Sequence, residues 1–160
     1  MAEWNDFFVA VAGASAALTG LIFVGVSISL TKILALPGLA NRALLSLVLL
    51  LNVLVLSILF LVPAIAPKAL GFFVLVVSVI SWGIVTRLDI PNVIHGQAPF
   101  LRQRLFNMLI DQIATSCFVI TGATMMAGLT NGIYWIVPAI LVSMVKGVLD
   151  GWVLLVEINR

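Results

Sequence analysis

Residues 43–62 read ALLSLVLLLNVLVLSILFLV, twenty positions without a charge, in which only Ser46, Asn52 and Ser57 interrupt the apolar side chains. A helix rises about 1.5 Å per residue, so this run reaches about 30 Å, the thickness of a bilayer's hydrocarbon core. The rest of the chain offers no soluble alternative. Of 160 residues, 63% are hydrophobic and 9% charged, whereas a soluble domain carries about 25% charged residues. The mean hydropathy is +1.29. In lipid every backbone N–H and C=O must be satisfied within the protein, which a helix does by itself. The fold class that follows is all-α, a polytopic transmembrane helix bundle.

Outward from this run, charges and Pro or Gly clusters delimit four more. The first covers about residues 7–30, follows Asn5-Asp6, which suit a helix start, and ends near Thr31-Lys32 before Pro37-Gly38. The quoted run stops at Pro63. The third, about 69–85, is the shortest, and a re-entrant segment competes with a full span there. A polar link follows, holding Asp89, Pro91, Asn92, His95-Gly96 and Arg102-Gln103-Arg104. The fourth span covers about 105–129 and turns at Thr130-Asn131-Gly132. The fifth covers about 133–155, with a kink expected at Pro138. At 17.1 kDa the whole chain, 1–160, reads as a single transmembrane domain. The acidic opening, with Glu3 and Asp6, does not resemble a cleaved signal peptide.

Basic residues orient the spans. With the N-terminus outside and the C-terminus inside, Lys32, Arg42, Arg87, Arg102, Arg104 and Arg160 face the cytoplasm, Lys146 lies toward it, and only Lys68 is outside. This is the asymmetry of the positive-inside rule. Trp4, Tyr134 and Trp135 then mark one interface, Trp82 and Trp152 the other. The pI near 9.1 rests on a net charge of only +2, so no nucleic-acid partner is expected.

Helices associate in lipid through close packing, for which small residues on one face are suited. The fifth span carries Ala139, Ser143, Gly147 and Gly151; the first carries Ala10, Gly13, Ala17 and Gly20, continuing to Ser27. Packing within the protomer is the leading expectation for both stripes, subunit contact the next. The second span, Leu-rich nearly all round, is expected to be the most lipid-exposed, with Asn52 as a bond to a neighbouring helix or a lining of a passage.

The fourth span aligns Asn107, Asp111 and Thr115 at four-residue spacing, and the fifth holds Lys146 and Asp150. In an antiparallel pair Asp111 and Lys146 lie within about one turn of the same depth. An unpaired charge at that depth is costly, so an Asp111–Lys146 ion pair is expected, with Asp150 as a second acid nearer the water. A register-fixing salt bridge and an ion or proton pathway remain the two readings. Lys146 pairing only with Asp150 on its own helix would weaken both.

Enzymatic chemistry is not expected. Gly20, Gly25 and Ser27 imitate P-loop spacing, but Val26 stands where the lysine belongs. Cys117 and His95 are the only residues of their kinds, so an intrachain disulfide is impossible, and neither a metal set nor a cofactor is expected.

The opening Trp4-Asn5-Asp6-Phe7-Phe8, with Gly13-Ala14-Ser15-Ala16-Ala17-Leu18-Thr19-Gly20-Leu21-Ile22-Phe23-Val24, resembles a group of small uncharacterised bacterial membrane proteins. The resemblance covers this segment alone. It implies a bacterial inner membrane and assigns no activity or site residue. Two functional expectations stand: a homo-oligomeric channel or small carrier for an ion or small solute, or a non-conducting regulatory, assembly or scaffold subunit partnering another membrane protein. An odd number of spans and the lack of a visible inverted repeat favour a channel over a two-repeat carrier.

Overall fold

The computed structural model describes residues 4–35, 38–94 and 101–158. The expected turn at Pro37, the loop with His95 and Gly96, and Arg160 lie outside the described residues. Those described form helices α1 (Asn5–Ile28), α2 (Leu30–Ala35), α3 (Leu39–Leu61), α4 (Pro67–Ile94), α5 (Leu101–Met126) and α6 (Ile136–Ile158), with no strand among them. A 3-10 segment, Thr130–Trp135, precedes α6. All but α2 are long and apolar enough to cross a membrane. The protein is a five-span all-α bundle.

The spans alternate in direction. At one end Trp4 meets Tyr134 with ring centroids 5.5 Å apart, and Phe8 of α1 stacks on Phe60 of α3 at 4.5 Å. At the other end α2 lays Ile33 against Leu39, Ala43 and Leu154. Between them the core is built from Val53, Leu56, Val74, Phe118, Ile136 and Ile140, all essentially inaccessible.

Several boundaries depart from expectation. The third span is the longest helix, not the shortest: α4 has 28 residues and continues past Arg87 to Ile94. Two positions along a helix differ by about 200°, so Arg87 and Asp89 point to opposite sides. Arg87 is exposed and Asp89 buried, and the helix accommodates both charges without breaking. Asn5 is the first helical residue rather than the cap, which is Trp4 without a side-chain bond. Pro138 sits in the first turn of α6, where its missing N–H costs nothing. The irregularity expected there is the 3-10 segment before it. Helix α5 ends in a Schellman motif: Gly128 takes φ 79°, and the Leu129 and Gly128 N–H groups bond the Thr124 and Met125 carbonyls at 3.0 Å.

The larger correction concerns α3. It is the most enclosed span, with 44% of its apolar window buried against 17% for α1, and it touches α1, α4 and α6. Its polar residues mark the inner face: Ser46, Asn52 and Ser57 are buried beside Leu49, Leu50, Val53 and Leu56. Lipid and protein core accept Leu equally, so a Leu-rich surround does not reveal which side faces which.

Helices α4 and α5 approach each other closely. A Cβ built on Gly122 would lie 2.5 Å from the Leu75 backbone nitrogen, and one on Gly71 would lie 2.6 Å from the Met126 nitrogen. Backbones in near contact gain dispersion along the whole hairpin and fix its register.

Candidate functional site

Four spans bring charge to one place, at the end of the bundle opposite the Trp4–Tyr134 cluster. From α6, Lys146 and Asp150 lie one turn apart on the buried face and their side chains form an ion pair. From α5, Asp111 Oδ2 stands 3.3 Å from the Lys146 Nζ. From α3, the Arg42 Nε stands 3.3 Å from Asp150 Oδ1. From α4, Asp89 is 4% exposed and lies in the field of Lys146 and Asp150, with the Gln112 side chain as a hydrogen-bonding neighbour. Asp111 is 1% exposed and Lys146 5%; Arg42, at 28%, reaches the cluster from the rim.

Neutral polar groups hold the charged ones in position. Gln112 accepts the Trp82 indole N–H at 2.7 Å and donates to Thr86 Oγ1 at 3.1 Å, clamping α5 to α4 at the level of Asp89. Ser46 donates to the Gly147 carbonyl at 3.1 Å, tying α3 to α6 next to Lys146. Thr115 is buried but spends its hydroxyl on the Asp111 carbonyl at 2.8 Å. Asn107 is half-buried one turn toward the helix start.

The buried acids are incompletely satisfied. Asp89 Oδ2 and both carboxylate oxygens of Asp111 lack a hydrogen-bond donor of acceptable geometry among the described residues. Above them, further from the charged end, more polar atoms lie in the interior. Asn52 accepts a 2.9 Å bond from Ser81, while Asn52 Nδ2 and the hydroxyls of Ser57, Ser78 and Ser143 have no described partner. At about 1.5 Å per residue, Ser57 lies about 22 Å along α3 from Arg42. Buried polar groups thus recur from the charged end through much of the bundle.

The two small-residue stripes diverge. On α6, Ala139 and Ser143 are inaccessible; a Cβ on Gly147 would meet Leu50 at 2.9 Å, and one on Gly151 would meet Ile22 at 3.3 Å. On α1, Ala10, Gly13, Ala17 and Gly20 are all exposed, and a Cβ on Gly13 or Gly20 would meet nothing within 4 Å. The first stripe therefore does not pack within the protomer, because α1 turns Phe8, Val11 and Ser15 inward instead. A lateral apolar groove of about 230 Å³ runs between α1, α2 and α6, lined by Ile22, Ile33, Gly151 and Trp152 among others and by no charged residue.

Arg42 and Asp89 are the members that sequence reasoning missed. In the sequence Arg42 reads as an edge residue and Asp89 as part of a polar link. The signal available was spacing: Asp89 follows Val85, Ser78 and Val74 on the face that α4 buries. Compared with protein-family models, curated proteins and solved structures, the chain matches none. The site must be read from its own geometry.

Proposed function

We propose that this multi-pass membrane protein conducts or carries a small cation, with the Arg42–Asp89–Asp111–Lys146–Asp150 cluster as its selective end. The observation that carries this reading is charge imbalance under burial. Three acids meet two bases, and carboxylate oxygens of Asp89 and Asp111 remain without donors. A salt bridge that only fixes helix register needs equal charges, whereas a cation site needs an excess of acid. The series of buried polar atoms from Ser143 to Ser57 supplies stations along the interior, inside one protomer. By the positive-inside rule the cluster faces the cytoplasm and the N-terminus lies outside; the resemblance of the opening segment implies that the membrane is a bacterial inner membrane.

The experiment is cation flux from proteoliposomes holding the purified protein, with Asp111→Asn beside wild type. Cation-selective flux that changes with the substitution is expected. No flux from assembled protein for any cation would end this reading.

A second reading has its own observation. The exposed face of α1 presents Ala10, Gly13, Ala17 and Gly20 without an internal partner, as suits assembly with another helix. A non-conducting assembly subunit would use that face and keep the charged cluster closed. Homo-oligomerisation through α1 is compatible with either.

A further inference from the structure

Three buried carboxylates and two cations leave one negative charge without a counter-charge inside the cluster, and that charge has an identifiable location. Asp150 is held by Arg42 and Lys146 together. Asp111 shares Lys146. Asp89 has no ion-pair partner among the described residues; it lies in the field of Lys146 and Asp150, and its hydrogen-bonding neighbour is the neutral Gln112 side chain. The groups acting on Asp111 are Lys146, Asp89 and Asp150. Helix α3 adds Arg42; of the other basic side chains at this end, Lys32 of α2, Arg87 of α4 and Arg102 of α5 are exposed and Arg104 of α5 is half-buried, and none is among the charges acting on Asp89 or Asp111. The one ionisable side chain of α1 is Asp6, at the far end.

We infer that Asp89 and Asp111 together hold one exchangeable proton, so that the cation taken by this site is H⁺ rather than a metal ion. The inference deepens the cation-transport reading and rests on it for its purpose, though the binding can be measured without transport. Two features select the proton. The oxygens free to face a further cation are Asp89 Oδ2 and Asp111 Oδ1, since Asp111 Oδ2 already faces Lys146, whereas hard metal cations take about six oxygens. The other polar atoms at that level are committed: Gln112 Oε1 accepts from Trp82, Thr86 Oγ1 accepts from Gln112, and Thr115 donates to a backbone carbonyl. No group of three acids, histidines or cysteines among the described residues is arranged to hold a metal ion. One proton instead converts one of the two carboxylates into a neutral acid, whose O–H is a donor, and brings the cluster to zero net charge.

Charge counting sets the test. Infrared difference spectra of wild-type protein in lipid, recorded while pH is raised, should contain one protonated-carboxyl C=O band that shifts in D₂O and is lost in alkali. Asp89→Asn and Asp111→Asn each leave two acids facing two bases, so either substitution should abolish the band. Lys146→Met leaves three acids facing one base, so it should strengthen the band about twofold. Sodium at constant pH should leave the band unchanged. A wild-type spectrum without the band overturns the inference, as does a band that persists in both Asn variants or is removed by sodium. If an Asn variant fails to fold, the wild-type titration and the Lys146→Met intensity still decide. The band with no flux retires the transport reading alone; flux without the band retires the proton site alone.

Discussion

Removing Lys146 and removing Asp111 break the same ion pair, and the structure predicts very different costs. At 3.3 Å and an effective dielectric of about 20, the attraction between the two charges is about 5 kcal/mol. Asp111→Asn forfeits it but also lifts a carboxylate out of a buried site, recovering a desolvation penalty of several kcal/mol. Lys146 keeps Asp150, so no bare cation is left behind. A net change within about 1 kcal/mol is expected from these offsetting terms. Lys146→Met instead leaves Asp111 without a cation and Asp150 with only Arg42, which is 28% exposed. A buried acid stripped of its partner costs about 3–5 kcal/mol, the cost here including that of driving a second proton onto the cluster. Denaturant unfolding in micelles, followed by tryptophan emission, gives both values. Asp111→Asn added to Lys146→Met should restore part of the loss, since the stranded carboxylate is then neutral, and this appears as coupling in a double-mutant cycle. If Asp111→Asn costs as much as Lys146→Met, or the two effects simply add, Asp150 does not share Lys146 in the way described.

Other positions give independent checks. Gly122→Ala drives a methyl into the Leu75 backbone and should cost about 1–3 kcal/mol by overpacking, whereas Gly13→Ala, with nothing within 4 Å, should cost nothing and stabilise by up to about 1 kcal/mol through helix propensity. Ser81→Ala removes the donor to Asn52 and strands a buried amide, a loss of about 1–3 kcal/mol in the same assay. Arg42→Gln should destabilise less than Lys146→Met, because Asp150 retains its α6 partner. In a Cys117→Ser background, Ala17→Cys should form disulfide-linked dimers in membranes if the α1 face meets a second copy; a control cysteine replacing buried Ala114 should not.

The five spans were legible because each is a long run of apolar residues, which only lipid accommodates. The candidate site was legible in part. Asp111, Lys146 and Asp150 fall inside apolar runs, where a charge is conspicuous and must find a partner at its own depth. Asp89 was not, because Arg87, Pro91 and Asn92 surround it and together read as a polar link. Only the folded helix separates the exposed Arg87 from the buried Asp89. Arg42 was hidden for the converse reason: an arginine at a span edge satisfies the positive-inside rule, which says nothing about where its long side chain ends. The lateral placement of helices was the least legible. In water the buried face is the apolar one; in lipid both faces are apolar, and the distinguishing marks on α3 are just Ser46, Asn52 and Ser57.

Those marks bear on why the cluster is interior at all. The outside of the bundle is largely apolar along the spans, with Leu21, Phe23, Ile28, Leu109, Val145 and Leu149 exposed, and the core clusters consist of apolar side chains alone. Apolar side chains in place of a buried ionic cluster are often neutral or stabilising, so packing gives no reason to keep five of 14 charged residues (eight Lys and Arg plus six Asp and Glu) in one interior site. Helix registration gives a reason for two or four charges, in balanced pairs, and the glycine contacts of α4 with α5 already fix one register. The fifth charge, Asp89, is the residue that neither packing nor registration requires. Its role is therefore the sharpest divide between a structural and a functional cluster: if Asp89→Asn leaves cation flux and its pH dependence untouched, the imbalance has no use in transport.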